Sequence, residues 1–305
     1  MFIDNSKLKN NHKLILYSII LLGFVTRIIF IIYFQFGENI KFASEDAIKF
    51  HTTAIKLLKY GLSWEYFQTN LIPSIGWIYS YFLAAVYNIT QPSILIGNLL
   101  SCFFWLCSAL IINLIMSELK TKKKSQIMFI LIFCFLPSSF FISIFTLREV
   151  YQLFFFMASI YFLLKFYRFK KKESFFMLII STLFLALLHK MLFLVSSIII
   201  YLGILSYYNI QIRSSLFMII SAILIVLIFL INKQYIGYNI IENIHIYRSN
   251  HPISRATYGY ETLGIADTPI INILAAILFY FTRPFLFDLS TSGDIVAMLE
   301  NIFRI

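Results

Sequence analysis

Apolar residues in this chain neither alternate nor recur on one helical face. They come in long runs separated by brief polar punctuation. The runs at 14–34, 93–116, 126–145, 150–166, 175–188, 191–207, 216–231 and 270–281 predict helices that are apolar all round. That is the pattern of membrane spans, not of a soluble core. No alternation of strand period argues for a barrel. The expected fold class is all-α: a polytopic transmembrane helical protein of about eight spans, forming one integral-membrane domain over 1–305. The run at 14–34 lacks a small-residue cleavage site and reads as a retained helix, not a signal peptide.

One stretch breaks the pattern. "SEDAIKFHTTAIKLLKYG", at 44–61, opens on Ser44 as an N-cap and closes on Gly61 as a C-cap. Asp46, Lys49, Thr53 and Lys56 share one helical stripe, while Ala47, Phe50, Ala54, Leu57 and Leu58 share another. This predicts an amphipathic helix lying at a membrane surface. The run 75–89 is also unusual, since its 15 residues fall short of the roughly 20 needed to span. It is expected to be re-entrant or juxtamembrane.

Composition agrees with the runs: 60% of residues are hydrophobic and 13% charged, with a mean hydropathy of +0.84. The net charge of +11 would suggest nucleic acid in a soluble protein. Here the position of the charges argues for topology instead, and no nucleic-acid partner is expected. Four short segments hold 13 of the 25 Lys and Arg: Lys7, Lys9 and Lys13; Lys120 and Lys122 to Lys124; Lys165, Arg168 and Lys170 to Lys172; and Arg213. The positive-inside rule places all four in the cytoplasm. An even number of crossings must then separate the N-terminus from Lys120, which is met only if 75–89 does not span. Cys102, Cys107 and Cys134 lie in apolar runs, with neither metal spacing nor a disulfide framework.

Charge parity puts several polar features on the outer side: a first loop at 35–74, Arg148–Glu149, His189–Lys190 and a late loop at 233–269. Charges at membrane depth are costly unless paired, wet or useful. In "FTLREVYQLFFF" the adjacent Arg148 and Glu149 have a bland reading, a helix-end pair that snorkels to water. The functional reading gives Arg148 a phosphate for its planar fork. Glu149 then holds Arg148, a sugar hydroxyl or a metal ion, so a divalent cation stays open as a cofactor. His189–Lys190 is either a hairpin tip or a second cation with a proton carrier. Glu45 reads as a complement to the helix dipole. Asp46 has the same bland reading but leans functional by its company. His51, on the same helix, is a further substrate-binding candidate, as is Arg27, a charge inside the first span expected to pair with a carboxylate or line a cavity. The late loop carries Glu242, His245, Arg248, His251, Arg255, Glu261 and Asp267 without a recognised metal motif.

In order along the chain, these features resemble the GT-C class of integral-membrane glycosyltransferases that use polyprenyl-phosphate sugars. The likeness rests on Arg27 in the first span and on Asp46, Phe50, Ala54 and Gly61 in the first loop. It continues through Pro73, Gly76 and Tyr79, then Pro137, Ser138 and Ser143 leading to Arg148–Glu149, and ends on Arg283, Pro284 and Phe285. Many members carry Asp-Glu in the first loop where this chain has Glu-Asp, and the chain is short for the class. The resemblance implies Asp46 as catalytic base, Glu149 as a second catalytic acid group, and Arg148 with His189, Lys190, His51 and Arg27 on the substrate. It also implies a lipid-linked sugar donor, a glycan or lipid acceptor, membrane lipid as surroundings, and a bacterial inner membrane with a cytoplasmic N-terminus. "TLREVYQ" and "LALLHKMLFL", through Arg148 and His189, are similar as well to O-antigen and capsule polymerases, which join whole lipid-linked repeat units. A lipid-linked glycan flippase would need more polar residues within the spans than Arg27 supplies. A purely structural membrane subunit would need none of these charges.

Overall fold

The computed structural model describes residues 5–36, 45–60, 78–189 and 192–207. The chain falls into two compact units, Met1–Arg213 and Ser214–Ile305; every described residue belongs to the first. The expected spans at 216–231 and 270–281 and the late loop at 233–269 lie outside the described residues, as do Ser44, Gly61, Pro73, Gly76, Lys190 and Arg283 to Phe285.

Among the described residues all regular structure is helical. The helices are α1 (Asn5–Phe36), α2 (Glu45–Tyr60), α3 (Ile78–Thr90), α4 (Ile94–Glu118), α5 (Lys123–Phe135), α6 (Pro137–Ile144), α7 (Glu149–Phe169), α8 (Lys172–Leu188) and α9 (Leu192–Tyr207). Three stretches are long and apolar enough to cross a membrane: Asn11–Phe36, Ile94–Glu118 and Glu149–Phe169. The bent pair α5 and α6 makes a fourth if it counts as one span. Large apolar side chains face outward, among them Leu21, Leu22 and Ile29 on α1, Phe103 on α4 and Met128 on α5. Such an exterior suits lipid better than water.

Two predicted features are corrected. The run at 126–145 is two helices meeting at 51° between Phe135 and Pro137. Pro137 has no N–H to donate, and its ring disfavours helical backbone at Leu136, which is extended (ψ 126°). Secondly, α2 does not spend its apolar face on a membrane surface. Ala54 and Leu57 pack with Leu83, Ala84 and Tyr87 of α3. Small residues on both helices let the backbones come close. The short run expected not to span is a helix at Ile78–Thr90, about 20 Å long at 1.5 Å per residue. That is well short of a bilayer core of about 30 Å.

Contacts at the helix termini sort the bundle into two ends. His12 Nε2 lies 3.2 Å from the Lys123 carbonyl, joining the start of α1 to the start of α5. Arg168 Nη1 donates to Glu118 Oε2 at 2.7 Å, joining the ends of α7 and α4. Lys170 Nζ donates to Ser206 Oγ at 2.9 Å, joining the end of α7 to that of α9. Three of the four basic segments therefore collect at one end; Arg213 lies outside the described residues. The antiparallel pairing of α7 with α8 and of α8 with α9 puts Glu149, Leu188 and Leu192 at the other.

Candidate functional site

The site is a corner at the end away from the lysines. α6 stops at Ile144, and the next residues run extended, with Phe145 at φ −114° and ψ 159°. α7 then starts at Glu149, with Arg148 as its N-cap residue. Thr146 anchors the corner by donating to Asn98 Oδ1 of α4 at 2.8 Å. Its Oγ1 lies only 2.5 Å from where a Cβ at residue 97 would stand, with Tyr87 Oη 3.1 Å from the same point. Glycine at 97 is what allows α3, α4 and the corner to meet.

α2 docks onto this corner. Ala47 is buried in one cluster with Ile31, Cys102, Ile144 and Phe145, and Leu147 packs against it. One turn later, the Phe50 ring lies 5.5 Å beneath the Arg148 guanidinium carbon and edge-on to Tyr79 at 5.1 Å. Asp46 is thereby carried on a helical turn whose neighbours, Ala47 and Phe50, touch the corner. Its carboxylate points to solvent, 67% exposed, with Lys49 Nζ at 3.8 Å. His51, next to Phe50, turns toward α3, its Nδ1 2.9 Å from Tyr87 Oη. Burial lowers the His51 pKa below its ordinary value, which favours the neutral ring beside the Tyr87 hydroxyl.

Arg148 and Glu149 meet, but loosely. Nε and Oε1 stand 3.5 Å apart, and neither Arg148 Nε nor Glu149 Oε2 makes a hydrogen bond among the described residues. Gln152 Nε2, one turn along α7, also goes unbonded. Below them, the hydroxyls of Tyr79, Ser101 and Tyr151 face one another and interact. His189, the residue after α8, sits at the same end; its neighbour Leu188 shares a core cluster with Phe50, Tyr79, Val150 and Tyr151.

Arg27 stands apart from the corner. It is fully buried, and among the described residues its acceptors are neutral. Nε donates to Ser143 Oγ at 2.7 Å, and Nη1 to the Gly23 and Cys134 carbonyls, each at 2.9 Å. Its guanidinium carbon lies 3.5 Å over the Trp105 ring and 4.9 Å from that of Phe140. Trp105 Nε1 and Arg27 Nη2 both approach Ser139 Oγ, at 3.0 and 3.5 Å. The Cys134 carbonyl is left over by the break before Pro137. Arg27 therefore holds the bent pair α5–α6 to α1 and α4, with acceptors of this kind in place of the expected carboxylate.

The structure thus brings the α2 turn bearing Asp46, Arg148, Glu149 and His189 to one end, and sets Arg27 deeper, among backbone and hydroxyl groups. Sequence reading missed Asn98, Ser101, Trp105, Thr146, Tyr151 and Gln152. An isolated amide or Trp inside a long apolar run was the available signal for Asn98 and Trp105. Among the described residues no three His, Cys, Asp or Glu gather as a metal set. Compared with protein-family models, with curated proteins and with solved structures, the chain has no match.

Proposed function

We propose that the chain is a membrane glycosyltransferase that moves a sugar from a polyprenyl-phosphate carrier to an acceptor hydroxyl at the outer face, in cell-surface glycan synthesis. The observation that carries this reading is the docking of α2 on the corner. Ala47 packs in the cluster of Phe145 and Phe50 lies under Arg148, so the turn bearing Asp46 stands beside an arginine and a glutamate with unmade hydrogen bonds. The positive-inside rule makes the lysine-rich end cytoplasmic and this end outer. A bacterial inner membrane with a cytoplasmic N-terminus fits that orientation.

In this mechanism Arg148 binds the donor phosphate, with Lys190 as a second cation. Asp46 takes the proton of the acceptor hydroxyl as general base. The acceptor oxygen bonds to the anomeric carbon, the bond from that carbon to the phosphate oxygen breaks, and the polyprenyl phosphate leaves with the electron pair. Arg148 stabilises the charge that builds on it. Glu149 holds Arg148 in place and is free at Oε2 to accept from a sugar hydroxyl. The test is Asp46→Asn in native membranes. The expected result is a loss of transfer of about 10²–10⁴-fold, the usual share of a general base, with unchanged thermal stability because the side chain is exposed. Full activity in that variant would sink the assignment.

A second reading, repeat-unit polymerisation, is favoured by one observation. His189 ends α8 at the same end as Arg148, and Leu188 packs in the cluster of Val150 and Tyr151. Deletion of the gene separates the two. A polymerase deletion leaves single repeat units on the lipid and no ladder, whereas a transferase deletion leaves a glycan short of one sugar.

A further inference from the structure

Four lysines at the basic end stand where another residue would serve the backbone better. α4 closes in a Schellman turn: the Lys120 N–H donates to the Ser117 carbonyl and the Thr121 N–H to the Met116 carbonyl, each at 3.1 Å. That puts Lys120 at the left-handed position, φ 52°, which glycine takes without a Cβ penalty. Lys170 closes α7 at φ 54° and ψ 24°, but its Nζ reaches Ser206 Oγ of α9, a use within the fold. Lys122 and Lys171 are the N-cap residues of α5 and α8, and neither makes a capping hydrogen bond. Serine or aspartate there would bond an orphan N–H, and a cation opposes the helix dipole. Membrane sidedness does not explain this placement. It counts charge over a whole loop, and Lys123, Lys124 and Lys172 already supply charge from the same turns. Local preference broken repeatedly by one residue type marks a functional surface.

The two turns form one surface. Arg168 Nη1 donates to Glu118 Oε2 at 2.7 Å and ties the end of α7 to that of α4. Lys120, Lys122 and Lys171 are exposed, and the segments 118–124 and 168–173 carry eight Lys and Arg against two Glu. Large exposed rings flank the surface: Tyr167 and Phe169 at the end of α7, and Phe176 one turn into α8. Such rings sit at the headgroup level of a bilayer, so the anions at this depth are lipid phosphates. We propose that these two turns form a docking surface for anionic phospholipid headgroups, with Lys120, Lys122 and Lys171 as its cations. The ammonium groups meet headgroup phosphates while their stems lie along the apolar rim. Bound lipid offsets the backbone strain and the uncapped helix starts, so the bundle is most stable in an anionic bilayer. The surface lies at the end opposite the corner and needs no part of the glycosyl-transfer reading.

The test uses the full chain in a neutral detergent, titrated with dioctanoyl phosphatidylglycerol, dioctanoyl phosphatidylcholine or inorganic pyrophosphate and followed by thermal shift. Phosphatidylglycerol is expected to raise the melting temperature at about a tenth or less of the concentration that the other two require. The triple variant Lys120→Gly, Lys122→Ser, Lys171→Ser should need about tenfold or more phosphatidylglycerol, since each lysine near an anionic surface is worth about fivefold in affinity. Without lipid it should melt with wild type or higher, because glycine and serine suit those positions. Lys122→Arg with Lys171→Arg should keep the wild-type titration, as should Lys56→Ser with Lys59→Ser on α2. An equal response to phosphatidylcholine, a wild-type titration in the triple variant, or loss of the response in the arginine or α2 variants overturns the proposal. Pyrophosphate as effective as phosphatidylglycerol overturns the lipid assignment in favour of a free phosphate. A triple variant that melts lower without lipid gives these lysines a structural role and overturns it as well.

Discussion

The two ends of the described bundle hold themselves together by different means. At the basic end, long exposed side chains reach across helix termini: Arg168 to Glu118, Lys170 to Ser206, His12 to the Lys123 carbonyl. Two helices there begin on a lysine N-cap, Lys122 and Lys171, neither making a capping hydrogen bond. Positive charge at a helix N-terminus is unfavourable, so this end trades some stability for charge. At the opposite end the contacts are short, buried and few, as in Thr146 to Asn98 and the close approach at Gly97, and several polar atoms there go unbonded. Stability is thus spread thinly over one end and staked on a few atoms at the other. A site that must bind and release a polar molecule fits the second arrangement.

The largest effect is expected where the two ends are joined, at Arg27. Arg27→Met removes every donor that the Cys134 carbonyl and the Ser143 hydroxyl receive from it. Each orphaned group costs about 1–3 kcal/mol, so a loss of about 3 kcal/mol or more is expected. Fluorescence-monitored unfolding checks this, because Trp105 under the guanidinium reports the loss directly. Arg27→Lys should recover less than half, since an ammonium can neither stack flat on the indole nor fork between two carbonyls. A variant as stable as wild type would mean that the broken span holds itself.

Next comes Gly97→Ala. The new methyl would stand 2.5 Å from Thr146 Oγ1, and the β-branched threonine is stiff at χ1. About 1–3 kcal/mol of destabilisation is expected. The double variant with Thr146→Ala should be more stable than Gly97→Ala alone. If the second substitution brought no relief, the corner would not be the point of close packing.

The helices, and the lysine-rich segments that gather at one end of the described bundle, were legible in the sequence because both are regional properties. A long apolar run specifies a helix almost regardless of its neighbours, and lysine clusters sum over whole loops. Pro137 even marked its break, although the run read as one span. What was not legible is contact between elements distant in the chain. Arg27 and Ser143 are 116 positions apart, and nothing local to either says that they bond. The stripe of Ala47, Phe50, Ala54, Leu57 and Leu58 was legible as the apolar face of a helix, read as lying on a membrane surface. The identity of its partner, α3 and not a lipid surface, depends on packing that periodicity does not encode. Tyr151 shows the same limit inside "FTLREVYQLFFF". Arg148 and Glu149 stood out by charge, while a tyrosine among phenylalanines reads as one more ring until its hydroxyl is placed against those of Tyr79 and Ser101.

A smaller effect separates the ends by pH. Burial lowers the pKa of His51, so the unfolded chain binds this proton more readily than the folded one. Stability from this group is full above the unfolded pKa of about 6.5 and falls as pH drops below it. Protonation also makes Nδ1 a donor, so that the Tyr87 hydroxyl can only accept there. Solvent reaches part of the ring, so the expected change is modest, a melting temperature lower by about 1–2 °C near pH 5.5 than near pH 7.5. His51→Gln should flatten that difference. A wild-type difference that survives in the variant would assign the acid sensitivity to another group.

The smallest effect is expected at the basic end, and it completes the contrast. Glu118→Gln removes the carboxylate that Arg168 reaches at 2.7 Å, a short contact by distance. Both side chains are substantially solvated there, 25% and 46% exposed, so the Coulomb gain is screened and two long rotamers are fixed to obtain it. Surrounding lysines lower the value further in one respect and raise it in another. They compete for the glutamate, but without it Arg168 loses the carboxylate it reaches and keeps its basic neighbours. The net change should be under about 1 kcal/mol, vanishing as salt is raised. Unfolding midpoints at low and high ionic strength measure it. A loss as large as that of Gly97→Ala would mean the basic end is also staked on single contacts, and the division between a thinly held end and a tightly specified one would fail.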